Sequence, residues 1–165
     1  MKFEKWIENA GKLAEKVAGK DGRGIIYQNA PGGLYFAPRR GEYIVFKDGG
    51  TYEGPNVPCG SLTTFWNKYA EDGTIADRRR GVLAGVYPGD AKKKVSVFTN
   101  AAGVSAVVNE KFVNLFPKDA LFYVSGRCNP VAVGLMDGGA LHIIAIVCPI
   151  NAELSRIEYG EEAAA

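Results

Sequence analysis

The sequence is poor in the residues that build most metal and disulfide sites. Its three cysteines, Cys59, Cys128 and Cys148, are scattered and show no Cys-x-x-Cys spacing, so neither a disulfide framework nor a zinc ligand set is indicated. One histidine is present, His142, which excludes zinc hydrolase chemistry that needs several imidazoles. Charge of one sign is also missing: 20 basic and 18 acidic side chains leave a formal +2. That is far short of the balance that marks a nucleic-acid binder by itself, so any cationic surface must be local. Among 21 glycines no Gly-x-Gly-x-x-Gly or Walker lysine pattern opens a helix after a strand, and nucleotide chemistry has no support. No cofactor and no metal are expected.

Long hydrophobic runs are absent too. The longest, Ala140 to Ile150, is broken by His142 and Pro149 and reaches only about half of the ~20 residues that a membrane-spanning helix requires. The first twenty residues carry charges throughout, with no apolar core of a secretory signal, so a cytoplasmic location and no membrane partner are expected.

What is present is the composition of a folded chain. With 165 residues, 47% hydrophobic and 23% charged, it has the size of one domain and enough apolar surface for a core. Phe3, Trp6, Ile7, Ala10, Leu13, Ala14 and Val17 recur at spacings of three and four, which predicts a helix ending near Gly19. From Gly24 to Asp48 the pattern changes to β-rich runs, Ile25 to Tyr27, Leu34 to Phe36 and Tyr43 to Phe46, a three-stranded meander. Ser61 precedes Leu62, Phe65, Trp66 and Tyr69 at helical spacing, predicting a second helix. Between Arg78-Arg79-Arg80 and Lys92-Lys93-Lys94 lies the apolar run Val82 to Tyr87, and Val95 to Phe98 reads as a strand. After Gly103 come a strand at Ala106 to Val108, a short helix capped by Asn109 and limited by Pro117, and three strands at Leu121 to Val124, Val131 to Leu135 and Leu141 to Val147. Asp137-Gly138-Gly139 is a hairpin connection between the last two.

Several groups could carry chemistry. Cys128 (or Cys59), His142 and Asp137 can be written as a nucleophilic set, but Gly-x-Ser-x-Gly and the cysteine-enzyme signatures are missing, and the plain alternative is a strand-edge histidine. Asp48, Glu53, Asp72 and Asp77 stand near Gly-rich turns, where Asp serves the turn itself more often than a glycosidase pair. On the first helix Lys5, Asn9, Lys12, Lys16 and Lys20 share one strip, an arrangement that presents cations to a phosphate backbone or forms an ordinary solvated face. Arg39-Arg40, Arg78 to Arg80 and Lys92 to Lys94 supply eight of the 20 basic residues, with Tyr35, Phe36 and Tyr87 nearby for base stacking. Basic runs beside strands also protect exposed edges from pairing.

The order of signals in the last third, Ala106-Val107-Val108-Asn109 through Phe116, then Leu121 to Val124, Asn129-Pro130-Val131-Ala132-Val133 and Leu141 to Ile150, resembles the closing half of a DNA sliding-clamp domain. In that family each domain is two β-α-β-β-β halves, and Pro130-Val131 and Cys148-Pro149-Ile150 match its Pro-Val strand start and its last strand ending in Pro. The resemblance implies an α+β, clamp-like domain of antiparallel sheet with two or three helices. It would form one domain over 1–165, with halves at 1–48 and 104–150 and an insertion over 49–103. Two features depart from the pattern. The rings of this family comprise six domains, whereas this chain has room for one, and the strand before the first helix is missing or reduced to Met1 to Phe3. The resemblance implies a non-enzymatic, replication-associated role on duplex DNA without base reading. Lys5, Lys12, Lys16 and Lys20, Lys111 on the short helix, and Arg78, Arg79 and Arg80 are the candidate contacts. The alternative is a protein-interaction or assembly module, of the kind a phage or mobile element carries, that binds a protein partner or itself and no DNA.

Overall fold

In a computed structural model of the chain, the residues described are 25–30, 32–38, 42–49, 53, 66–68, 79–88 and 94–150. Runs of β-branched and aromatic residues separated by turns set the elements: β1 (Ile25–Ala30), β2 (Gly33–Pro38), β3 (Tyr43–Asp48), β4 (Arg80–Pro88), β5 (Lys94–Thr99), β6 (Ser105–Asn109), α1 (Glu110–Val113), β7 (Leu121–Tyr123), β8 (Val131–Asp137) and β9 (Ala140–Val147). Every sequence-predicted strand in these stretches forms. The β8–β9 hairpin turns on Gly138 and Gly139, at φ 58° and 80°, the double positive φ that a two-residue type I′ connection demands.

The strands build one antiparallel sheet in the order β1-β2-β3-β9-β8-β7-β4-β5-β6. Two three-stranded meanders, β1 to β3 and β7 to β9, meet through their last strands, with Tyr43 opposite Val147, Ile44 opposite Ile146 and Val45 opposite Ala145. On the far side β4 pairs with β7 only at Arg80 and Gly81 and then carries β5 and β6. The sheet curls, because Ile150, three residues beyond β9, donates its N–H to the Val107 carbonyl of β6 at 2.7 Å.

The α+β expectation of two or three helices is corrected here. Among the described residues the protein is a nine-stranded sheet with one short helix, plus a helical turn at Trp66–Lys68 inside the second predicted helix. The first predicted helix lies outside the described residues. The helix expected up to Pro117 spans four residues. Asn109 caps it by accepting from the Lys111 N–H, and the Asn114 N–H closes it onto the Glu110 carbonyl. The chain then tightens through three-residue turns, Leu115 to Phe112 and Phe116 to Val113, each at 3.3 Å. Phe112 and Phe116, four residues apart, both enter the hollow of the sheet, as residues at that spacing on one helical face do.

In the hollow, Phe112 packs on Tyr43 at 5.3 Å between ring centroids, and Phe122 meets Phe98 at 4.3 Å, stacked, and Phe116 at 6.3 Å, edge-on. Val45, Val108, Val124, Val131, Val133 and Val147 fill the rest. The outer face of the β1 to β3 corner has its own cluster, in which Trp66 lies 5.1 Å from Tyr35 and 5.8 Å from Phe46, over Ile44 and Ile146. A third cluster, Val95, Val97 and Val107, is covered by Tyr87 and Ile150. Among the described residues no helix is long and apolar enough to cross a membrane.

Candidate functional site, the edge of strand β4

β1 and β6 are the outermost strands, but among the described residues β4 has the most exposed side chains, with Val82, Leu83, Ala84 and Val86 all facing solvent. Gly81 lets it pass between its neighbours: a Cβ there would lie 2.9 Å from Val124 Cγ2 and 3.1 Å from Phe98 Cβ. The preceding carbonyl, of Arg79, accepts from the Val124 N–H at 2.7 Å, and Arg80 and Gly81 pair with Tyr123 and Phe122. There β7 ends. From Val82 to Pro88 the edge of β4 away from β5 has no strand partner among the described residues. A bulge at Ala84, between the pairs Leu83 to Phe98 and Gly85 to Val97, increases the local twist.

Both faces of this segment meet solvent. Val82 is 68% exposed, Leu83 50% and Val86 45%. Where the chain before β7 diverges from β4 it opens a groove of about 630 Å³. Its floor is Phe98, Phe116 and Phe122, and its walls are Val82 and Leu83 on one side and Val113, Pro117 and Leu121 on the other. The charged side chains among its lining residues are Arg80 and Lys118, both exposed. The arrangement is an apolar slot beside an open strand edge, with two cations at its mouth. No protein-family model, curated protein or solved structure matches this chain.

The sequence-predicted site residues fall in three places. Lys5, Lys12, Lys16, Lys20 and Arg78 lie outside the described residues. Arg79 is half-buried at the start of β4 and Arg80 is exposed beside it. Lys111 is exposed on α1 with its Nζ 5.1 Å above the Phe112 ring, a cation–π contact, and does not line the groove. The groove thus gathers Arg80 with Lys118, a residue the sequence reading did not single out. Val82 and Leu83, which line the groove, and Val86 further along β4 read in sequence as an ordinary apolar strand. The one available hint is that Gly81 to Tyr87 does not alternate apolar with polar, so neither face is assigned to water.

Two other expectations are corrected. Tyr35 and Phe36 are buried in the two opposite clusters and are not available for base stacking. The nucleophilic set does not assemble around Cys128 either, and Cys59 lies outside the described residues. Asp137 and His142 belong to the turn end of the β8–β9 hairpin, whereas Cys128 precedes β8 and Cys148 follows β9 at the other end, a strand length of about 20 Å away at ~3.3 Å per residue. Neither Cys128 nor Cys148 is in a disulfide, and burial, reinforced by the Glu42 carboxylate, pushes the Cys148 thiol's pKa above its ordinary value, which suppresses the reactive thiolate. Among the described residues no three His, Cys, Asp or Glu side chains gather to hold a metal ion.

Proposed function

We propose that the chain is a protein-interaction module whose contact surface is the open edge of β4 and the groove beside it. One observation carries this reading: Val82, Leu83 and Val86, three of the four large hydrophobic residues exposed among the described ones, stand together on one strand whose edge is unpaired. Single exposed apolar side chains are ordinary, but clustered ones rimmed by charge mark contact surfaces. The test is a photo-crosslinking amino acid at Val82, with a control at His142, exposed on β9, in extract of cells that express the protein. Position 82 should give protein adducts at least tenfold above position 142, lost when Leu83→Ser and Val86→Ser are added. Equal adducts from both positions overturn the reading.

A second reading is contact with duplex DNA phosphates, supported by the sliding-clamp resemblance and by Arg80 and Lys111 standing exposed. It predicts binding to fluorescent duplex that weakens steeply with salt, since each phosphate contact releases counterions, and that the Lys5, Lys12, Lys16 triple alanine variant removes. No binding at low salt eliminates it.

A further inference from the structure

We propose that the β4 edge takes its partner as an added strand: an extended segment of another protein, apolar on alternate residues, running antiparallel to β4 and acidic at its C-terminal end. The inference rests on the reading of this face as a protein-binding surface and specifies how it binds and what it binds.

The backbone comes first. A strand edge presents N–H and C=O groups at fixed spacing, and sheets that leave such an edge open guard it with charge, proline or a short strand. Between Val82 and Tyr87 β4 has no charged residue and no proline; Ala84, the bulge, is the one feature that interrupts it. The edge is therefore competent for strand addition, in which main-chain bonds give affinity and pockets for alternate side chains give specificity.

Direction follows from β7. Tyr123 is opposite Arg80 and Phe122 opposite Gly81, so β7 already occupies the first two positions of this edge, antiparallel. A segment that takes up the same line beside Val82 to Val86 in the same sense ends, at its C-terminus, against Gly81 and the mouth of the groove. Arg80 and Lys118 are there, with no acidic side chain among the lining residues to neutralise them. A carboxylate at the end of the segment supplies the complement, and its inward apolar side chains reach the slot between Leu83 and Pro117.

The same chemistry disfavours the other occupants. A second copy pairing β4 to β4 would bring Arg80–Pro88, which holds no carboxylate, to a cationic mouth. Duplex DNA would meet the two cations but gains nothing from Val82, Leu83 and Val86.

The experiment titrates the full chain against labelled synthetic octapeptides of alternating valine and threonine. One ends in two glutamates, one ends in two lysines, and one is the glutamate peptide N-methylated at alternate residues so that one edge cannot donate. A duplex DNA of similar length runs alongside. The glutamate peptide should bind at least tenfold more tightly than either of the other two. The Arg80→Glu, Lys118→Glu variant should reverse the preference toward the lysine peptide, with Arg80→Gln, Lys118→Gln abolishing it if the first does not fold. Equal binding of the N-methylated peptide overturns strand addition while leaving a side-chain docking surface, and hence the proposed function, intact. Equal binding of the two charged ends overturns the acidic partner. Binding of DNA alone overturns the inference and the proposed function together. Sedimentation as a dimer that reverts to monomer with Val82→Ser, Leu83→Ser assigns the edge to a second copy and overturns the inference.

Discussion

β9 and β4 are both apolar strands of similar length, and the sheet treats them in opposite ways. β9 lies between β3 and β8, and from Ile144 to Val147 it is buried on both faces, Ala145 and Val147 inward against the aromatic hollow and Ile146 outward under the Trp66 cluster. Among the described residues β4 has a full partner on one side and two residues of partner on the other, and its Val82 and Leu83 are half or more exposed. The sheet therefore assigns one strand to stability and leaves the other available for contact. Apolar character alone does not make that assignment; how far each neighbouring strand runs alongside does.

The largest effect expected from breaking this comparison is on β9. Ile146→Ala removes a side chain that is 1% exposed and touches the outer cluster, and should cost about 2–5 kcal/mol, the range for emptying a core site. Denaturant unfolding followed by circular dichroism, with tryptophan fluorescence reporting on Trp66, checks it. Leu83→Ala, a deletion of the same size on β4, should cost a small fraction of that. Equal losses at the two sites would mean that β4 belongs to the core.

A second consequence concerns the seam where β3 meets β9. Burial, with the Glu42 carboxylate adding to it, raises the pKa of both the Tyr43 phenol and the Cys148 thiol above their ordinary values of 10.0 and 9.0. The unfolded chain gives up these protons at lower pH than the folded one, so it binds fewer protons in this window and stability falls as pH rises. The loss should begin near pH 9 and deepen as the phenol's ordinary value is passed. Urea midpoints measured from pH 7 to 10.5 report it. Tyr43→Phe keeps the ring and should flatten the upper part of the curve, and Cys128 should react with iodoacetamide well before Cys148 at pH 8.

How legible these features are in the sequence depends on the distance over which each is decided. The strands are decided locally: β-branched and aromatic runs such as Tyr43-Ile44-Val45-Phe46 and Val131-Ala132-Val133, set off by turn residues, name themselves. The Asp137-Gly138-Gly139 hairpin does too, because its two positive φ angles need glycine. The four-residue length of α1 is not local. Asn109 marks its start correctly, but the helix ends at Val113 with Asn114 as its cap, short of the Pro117 limit, and the chain continues in three-residue turns through Phe116. The candidate site is less legible still. Arg80 was marked by its charge, whereas Lys118 looks like any surface lysine until the fold brings it to the same groove. The exposure of Val82 and Leu83 follows from the strand order β7-β4-β5 and from β7 stopping after two pairs, neither of which a string of apolar residues encodes.

The smallest effect on stability is the one that sharpens the comparison most. Val82→Ser with Leu83→Ser exchanges two exposed apolar side chains for polar ones of good solubility, and substitutions on such a surface ordinarily change stability by no more than about 0.5 kcal/mol. The transition midpoint should therefore stay within a few degrees of the parent chain while peptide binding at the β4 edge falls at least tenfold. Fibrillation and sedimentation at high concentration should improve or stay the same, because an open apolar edge is also a template for aggregation. A pair of substitutions that leaves the fold untouched and removes the contact separates the two uses of apolar surface in this sheet. A pair that instead lowers the midpoint by as much as Ile146→Ala would show that the face of β4 is covered in the folded chain and place it with β9.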